Sequence, residues 1–172
     1  YPNADDTDGD WTNQSEGSVL YTSIDEVHGS ADGSTTFIQC TDDGSDAACI
    51  ISLASVSAPG SGDVKIRYTA LSEDNSGFGA PGIKIQLLEG GAARGAIHTD
   101  TSVDSSYAAE VSSAIDVSSV SNWGNLELKI TMTTNSGSGM DILKVTQAYL
   151  EVPAAAAAAA SPRALKNLIY YY

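Results

Sequence analysis

The sequence predicts an all-β protein, an antiparallel β-sandwich and most simply a jelly roll, followed by a short C-terminal tail with some helical character. Three observations carry this. The stretch Asn125–Thr134, NLELKITMTT, sets Leu126, Leu128, Ile130 and Met132 on one face and Glu127, Lys129, Thr131 and Thr133 on the other. That is the period-two pattern of a strand with one buried and one wet face. The pattern recurs in DVKIRYTAL, through Val64, Ile66 and Tyr68, and in GIKIQLLEG, through Ile83, Ile85 and Leu87. Gly, Asn and Ser close each stretch, and helix signals are few. Strands that are apolar on one face need a second sheet to cover that face.

The elements follow in order. Tyr1–Asp10 reads as an acidic, turn-rich entry, with Trp11 behind it. Strands are expected at Ser18–Glu26, Thr35–Cys40, Cys49–Val56 and Asp63–Leu71, with a polar turn over Thr41–Ala47. Ser72–Pro81 is a Gly-rich loop before the Ile83 strand. Gly90–Gly91 is the dipeptide of a tight hairpin, so Ala92–Thr99 returns as a strand. Ser105–Ser112 is a further strand, and Asp116 caps a short helical turn to Asn122. The Leu126 strand and a last strand, Ile142–Val152, end the sandwich at Pro153, which cannot donate to a ladder. Two units result: a sandwich domain over 1–153 and a spacer with docking tail over 154–172.

The formal charge of −14 works against nucleic-acid and anionic-membrane partners. All 22 acidic residues precede Pro153, whereas Arg163 and Lys166 follow it. No apolar run reaches the length of a membrane span. The chain opens on Tyr1 rather than Met, and a processed product is one of the origins that would give such a start. In the tail, Ser161 and Pro162 open a helical pattern with Leu165, Leu168 and Ile169, and Tyr170, Tyr171 and Tyr172 end it. Together with Arg163 and Lys166, these are the candidate partner-docking residues, for self-association or for other subunits of a virion or filament.

Cys40 and Cys49 flank one turn. If that turn joins a hairpin, they come close enough for a disulfide, which would contribute about 2–3 kcal/mol. Two buried thiols are the alternative. ADDTDGDW places Asp6, Asp8 and Asp10 at alternating positions, as calcium loops do. The EF-hand pattern fails, because Trp11 stands where Gly is needed and Gly17 where the bidentate Glu belongs. A calcium site helped by Asp141 competes with a solvated acidic loop, and no other cofactor is implied. Asp25 and Glu26 point to opposite faces of a strand, so they cannot flank one glycosidic bond. There is no G-x-S-x-G elbow, and neither His28 nor His98 has an evident Ser or Asp partner. No catalytic residue is assigned. Trp11 and Trp123 read as core plugs before they read as a sugar platform.

The order Trp11, Ile24-Asp25-Glu26, Phe37–Ile38, VKIRYTA, IKIQLLEG, NLELKITM and AYLEVP resembles a jelly-roll domain of tailed-phage structural proteins, distantly similar to galactose-binding and laminin-G-like sandwiches. The resemblance covers roughly residues 1–153. It implies a non-enzymatic virion-surface role, as a capsid decoration or head-fibre subunit, and carries no catalytic residues across. Two alternatives stand beside it: a carbohydrate-binding module of an extracellular protein, and a subunit of a secreted filament. The expected location is the virion surface or the extracellular space.

Overall fold

A computed structural model describes residues 1–13, 19–24, 35–41, 44–55, 57–59, 62–134 and 141–153. Two five-stranded antiparallel sheets face each other. The first runs, in spatial order, β1 (Pro2–Thr7), β4 (Ala47–Leu53), β9 (Leu126–Thr133), β6 (Gly82–Glu89) and β7 (Ala92–Asp100). The second runs β2 (Thr12–Asn13), β3 (Ile38–Thr41), β10 (Ile142–Glu151), β5 (Lys65–Glu73) and β8 (Ala108–Val111). The expected sandwich is therefore present.

The alternating residues meet between the sheets. Leu128, Ile130 and Met132 of β9 are fully buried, as are Ile83, Ile85 and Leu87 of β6 and Ile66 of β5. Leu143, Val145 and Ala148 of β10 close the same core. Burying one such Leu or Ile side chain contributes about 1.5–3 kcal/mol. Trp11 is a core plug, as expected. It is buried, and its indole N–H donates to the Ala47 carbonyl at 3.3 Å.

The fold departs from expectation outside the alternating stretches. Pro2–Thr7 is a strand on β4 rather than a turn-rich entry. As an edge strand it needs only backbone partners, so its composition carries no apolar signal. The Ser18–Glu26 strand does not form over its described part. Tyr21–Ser23 is a short 3₁₀ turn, and Leu20 and Ile24 fill the core from it. The half-buried Asp5 of β1 accounts for this, because its two carboxylate oxygens accept the Leu20 and Tyr21 amides at 2.7 and 2.8 Å. No helix forms after Asp116, only a single turn closed by Val120 N–H on the Val117 carbonyl.

The strands flanking Asp42–Asp46 do not form a hairpin. β3 belongs to one sheet and β4 to the other, so the connection crosses the sandwich. Cys40 and Cys49 are buried on strands of facing sheets, and the disulfide weighed for them does not join them in the structure. The β6–β7 hairpin does form, with φ of 55° and 78° at Gly90 and Gly91.

Candidate binding cleft at Trp123

One cleft combines an aromatic ring with paired carboxylates. Its origin is a single two-residue bridge. Val64 and Ile115 exchange backbone hydrogen bonds at 3.2 and 2.8 Å, and both side chains are buried. Successive residues of extended chain face opposite ways. Their neighbours Asp63 and Asp116 are accordingly exposed. Asp63 and Asp116, with Ser118, Val117, Pro59 and Trp123, line an open cleft of about 370 Å³. Trp123 is half-buried and packs against the core. Its expected core role is thus only part of its position.

The Trp123 segment is held by Glu89, the last residue of β6. Glu89 is buried and accepts Ser121 N–H at 3.2 Å, Ser121 O–H at 2.6 Å and Asn122 N–H at 2.6 Å. The Arg94 guanidinium from β7 donates to the same carboxylate at 2.7 Å. The Ser121 hydroxyl, then Arg94, hold the Glu89 carboxyl down at about 2. Asp116 is also held below the usual carboxylate range, by the Ser118 amide at 2.8 Å. It therefore stays ionised and ready to accept hydrogen bonds. Asp63 also borders a second groove with Lys65, Arg67 and Glu151, where Arg67 and Glu151 form an ion pair at 2.9 Å.

A further cleft lies between β7 and the Ser112–Ile115 segment, with His98 beside Ser112. It holds no activated nucleophile. The Ser112 hydroxyl donates to the Ser113 carbonyl and accepts Ile66 N–H. His98 Nε2 instead meets the Tyr68 hydroxyl at 2.9 Å, and Asp100 accepts from the same hydroxyl at 3.2 Å. Burial, then the Asp100 charge, push the Tyr68 hydroxyl's pKa well up. The trio ties one sheet to the other.

The other expected site residues separate. Asp5 and Asp6 alternate along β1, and Asp5 is spent on the Leu20 and Tyr21 amides. Among the described residues no three acidic, His or Cys side chains come together to hold a metal, and the candidate calcium ligands Asp6, Asp8 and Asp10 form no such group. Asp141 accepts from the Asn75 and Ser76 amides instead. Asp46 takes Lys84 at 3.2 Å and the Thr134 amide at 3.1 Å. The docking residues Arg163, Leu165, Lys166, Leu168, Ile169 and Tyr170–Tyr172 lie outside the described residues, as do Asp25 and Glu26.

No protein-family model matches the chain. No curated protein matches it either. Among solved structures it is similar to an arabinose-bound α-L-arabinofuranosidase, with a TM-score of 0.46 and 11% identity over 74% of this chain and 21% of that one. It is similar to a protein described among the carbohydrate-binding modules of the β-sandwich superfamily, with a TM-score of 0.46 and 10% identity over 86% of this chain and 56% of that one. The N-terminal cellulose-binding domain of Cellulomonas fimi β-1,4-glucanase C is similar at a TM-score of 0.40 and 11% identity, over 89% of this chain and 97% of that domain. At these identities the likeness is to the sandwich fold and carries no activity across. No phage structural protein is among these three, and the expected virion role draws no support from them.

Proposed function

We propose that the chain is a non-catalytic glycan-binding module whose sugar site is the Trp123 cleft. The observation that supports this reading is the pairing of a half-buried Trp with two carboxylates in one open cleft. An indole offers an electron-rich face to the C–H groups of a sugar ring. Asp63, Asp116 and Ser118 offer acceptors to its hydroxyls. The two carboxylates repel uronates and sulfated sugars, so the ligand is a neutral or amino sugar. The site binds without reacting. The cleft lining contains no His or Cys to activate a nucleophile, and both acids face water. Such a module works where polysaccharide is met, outside the cell.

Affinity electrophoresis in gels containing soluble neutral polysaccharides tests this. Wild type is retarded by at least one of them. Trp123→Ala weakens the retained interaction about tenfold or more, equivalent to at least ~1.4 kcal/mol. A Trp123→Ala variant that binds as wild type would remove the cleft from the reading. A wild type retarded by no neutral glycan would remove the reading itself.

A further inference from the structure

At the far end of β5 from the cleft, the loop between β5 and β6 carries Phe78, which is 69% exposed. An exposed aromatic on a loose loop means little. This loop is not loose, because five consecutive amides are each taken by a side chain. Asn75 N–H and Ser76 N–H donate to Asp141 Oδ1, both at 2.8 Å. Gly77 N–H donates to Asp74 Oδ1 at 2.6 Å, Phe78 N–H to Ser76 Oγ at 3.2 Å, and Gly79 N–H to Asp74 Oδ2 at 3.2 Å. The Ser76 hydroxyl in turn donates to Asp141 Oδ2 at 2.7 Å. Asp141 is 1% exposed and anchors the whole array at the start of β10. On either side of Phe78, Gly77 and Gly79 take φ of 78° and 110°, a backbone that turns the ring outward.

The loop thus holds one apolar ring in water, at a fixed place, with its own amides bonded to side chains. A ring presented this way loses little entropy on contact, which is the condition for a preorganised anchor. Its surroundings select the partner. Asp74, Asn75, Ser76 and Gly77 flank it, and the other exposed large apolar side chains among the described residues are Tyr1, Val19, Ile97 and Val111, none of them in this loop. A protein hot spot sits within a wider ring of contacts that excludes water. A single ring amid polar groups instead matches one sugar face, with C–H groups to stack and hydroxyls at its rim.

We propose that Phe78 is the anchor of a second sugar contact, for a neutral pyranose ring, and that the module is bivalent. This rests on the glycan-binding reading above. Asp63 immediately precedes the Val64–Glu73 stretch and Phe78 follows it, so the two sites stand about 30 Å apart at strand rise. A module with sites at two ends links separate polysaccharide chains and gains avidity on one chain.

The test uses the full chain, Phe78→Ala, Phe78→Trp, Trp123→Ala and the Phe78→Ala/Trp123→Ala double variant. The probes are soluble cellulose derivative, xylan and galactomannan, read by affinity electrophoresis and by turbidity of mixed solutions. Wild type and Phe78→Trp bind and cross-link. Each Ala single variant still binds, with apparent affinity lowered about tenfold or more, and no longer cross-links. The double variant does neither. Thermal melting of Phe78→Ala matches wild type, because the ring is in water. If Phe78→Ala binds and cross-links like wild type while Trp123→Ala is defective, the second contact is overturned and the cleft stands. If Phe78→Ala alone abolishes binding and Trp123→Ala is unaffected, bivalency is overturned and the sugar site moves to Phe78. If wild type binds none of the three, both proposals fall.

Discussion

Glu89 is the residue on which the candidate site depends most, although it does not itself line the cleft. It collects three donors from Ser121 and Asn122, the two residues before Trp123, and a fourth from Arg94. Its carboxyl is depressed from the ordinary 4.5 to about 2, with the Ser121 hydroxyl the largest cause and Arg94 the next. A carboxylate with a depressed folded pKa contributes stability that is complete above the unfolded value and lost as the pH falls through the folded one. Melting temperature should therefore fall as the pH drops from about 4.5 toward about 2. Glu89→Gln should lower melting at pH 7 by several degrees and flatten that acid slope. Asp46 and Asp141 are depressed as well, so some slope will remain. The same variant should weaken glycan retention, because the Trp123 segment loses its anchor. Differential scanning calorimetry between pH 7 and pH 2 checks the first part. An unchanged acid slope in Glu89→Gln would mean that the network does not couple to folding.

At the scale of elements, the close approach of β7 to the Ile115–Asp116 segment shapes the cleft. Gly95 sits within β7 at φ 66°, in the left-handed region. A Cβ there would overlap Cγ2 of Ile115 and approach the Asp116 carbonyl to 3.3 Å. Gly95→Ala combines backbone strain with a clash against a buried side chain. A destabilisation of about 1–3 kcal/mol is expected, since each strained non-Gly backbone costs that order. Because Ile115 is the partner of Val64 in the bridge that sets Asp63 beside Asp116, sugar binding should weaken in parallel. Urea unfolding and affinity electrophoresis of the one variant measure both. A Gly95→Ala protein as stable as wild type would show that the edge strand shifts freely and does not shape the cleft.

At the scale of the whole molecule, the core decides the chemistry of its cysteines. Cys40 and Cys49 are 1% and 0% exposed and come from opposite sheets. Burial, then the neighbouring Cys40, push the Cys49 thiol well up, so it is neither ionised nor reachable in the folded state. Alkylation then requires opening of the sandwich itself, and its rate reports global unfolding. Native protein treated with iodoacetamide should gain no adduct over hours, and denatured protein two. Intact mass should be the same with and without reductant. A loss of two protons in the unreduced protein would mean that the thiols pair across the core.

The alternating stretches were enough to place β5, β6 and β9 and their inward faces, because a period of two is a local property and burial on one side leaves it in the chain. Gly90–Gly91 likewise marked its hairpin, because only a left-handed pair makes that turn. Three features came only from tertiary structure. β1 is an edge strand whose partner is backbone, and backbone hydrogen bonds leave no mark on side-chain pattern. Leu20 and Ile24 alternate like a strand, yet the Asp5 carboxylate, far back in sequence, draws their segment into a turn. The cleft itself joins Asp63, Asp116 and Trp123, with Glu89 behind them. Each alone reads as an ordinary surface acid or core aromatic, and only the Val64–Ile115 bridge makes them neighbours. Local patterning determined which residues face inward; which distant segments meet was decided by how the two sheets close.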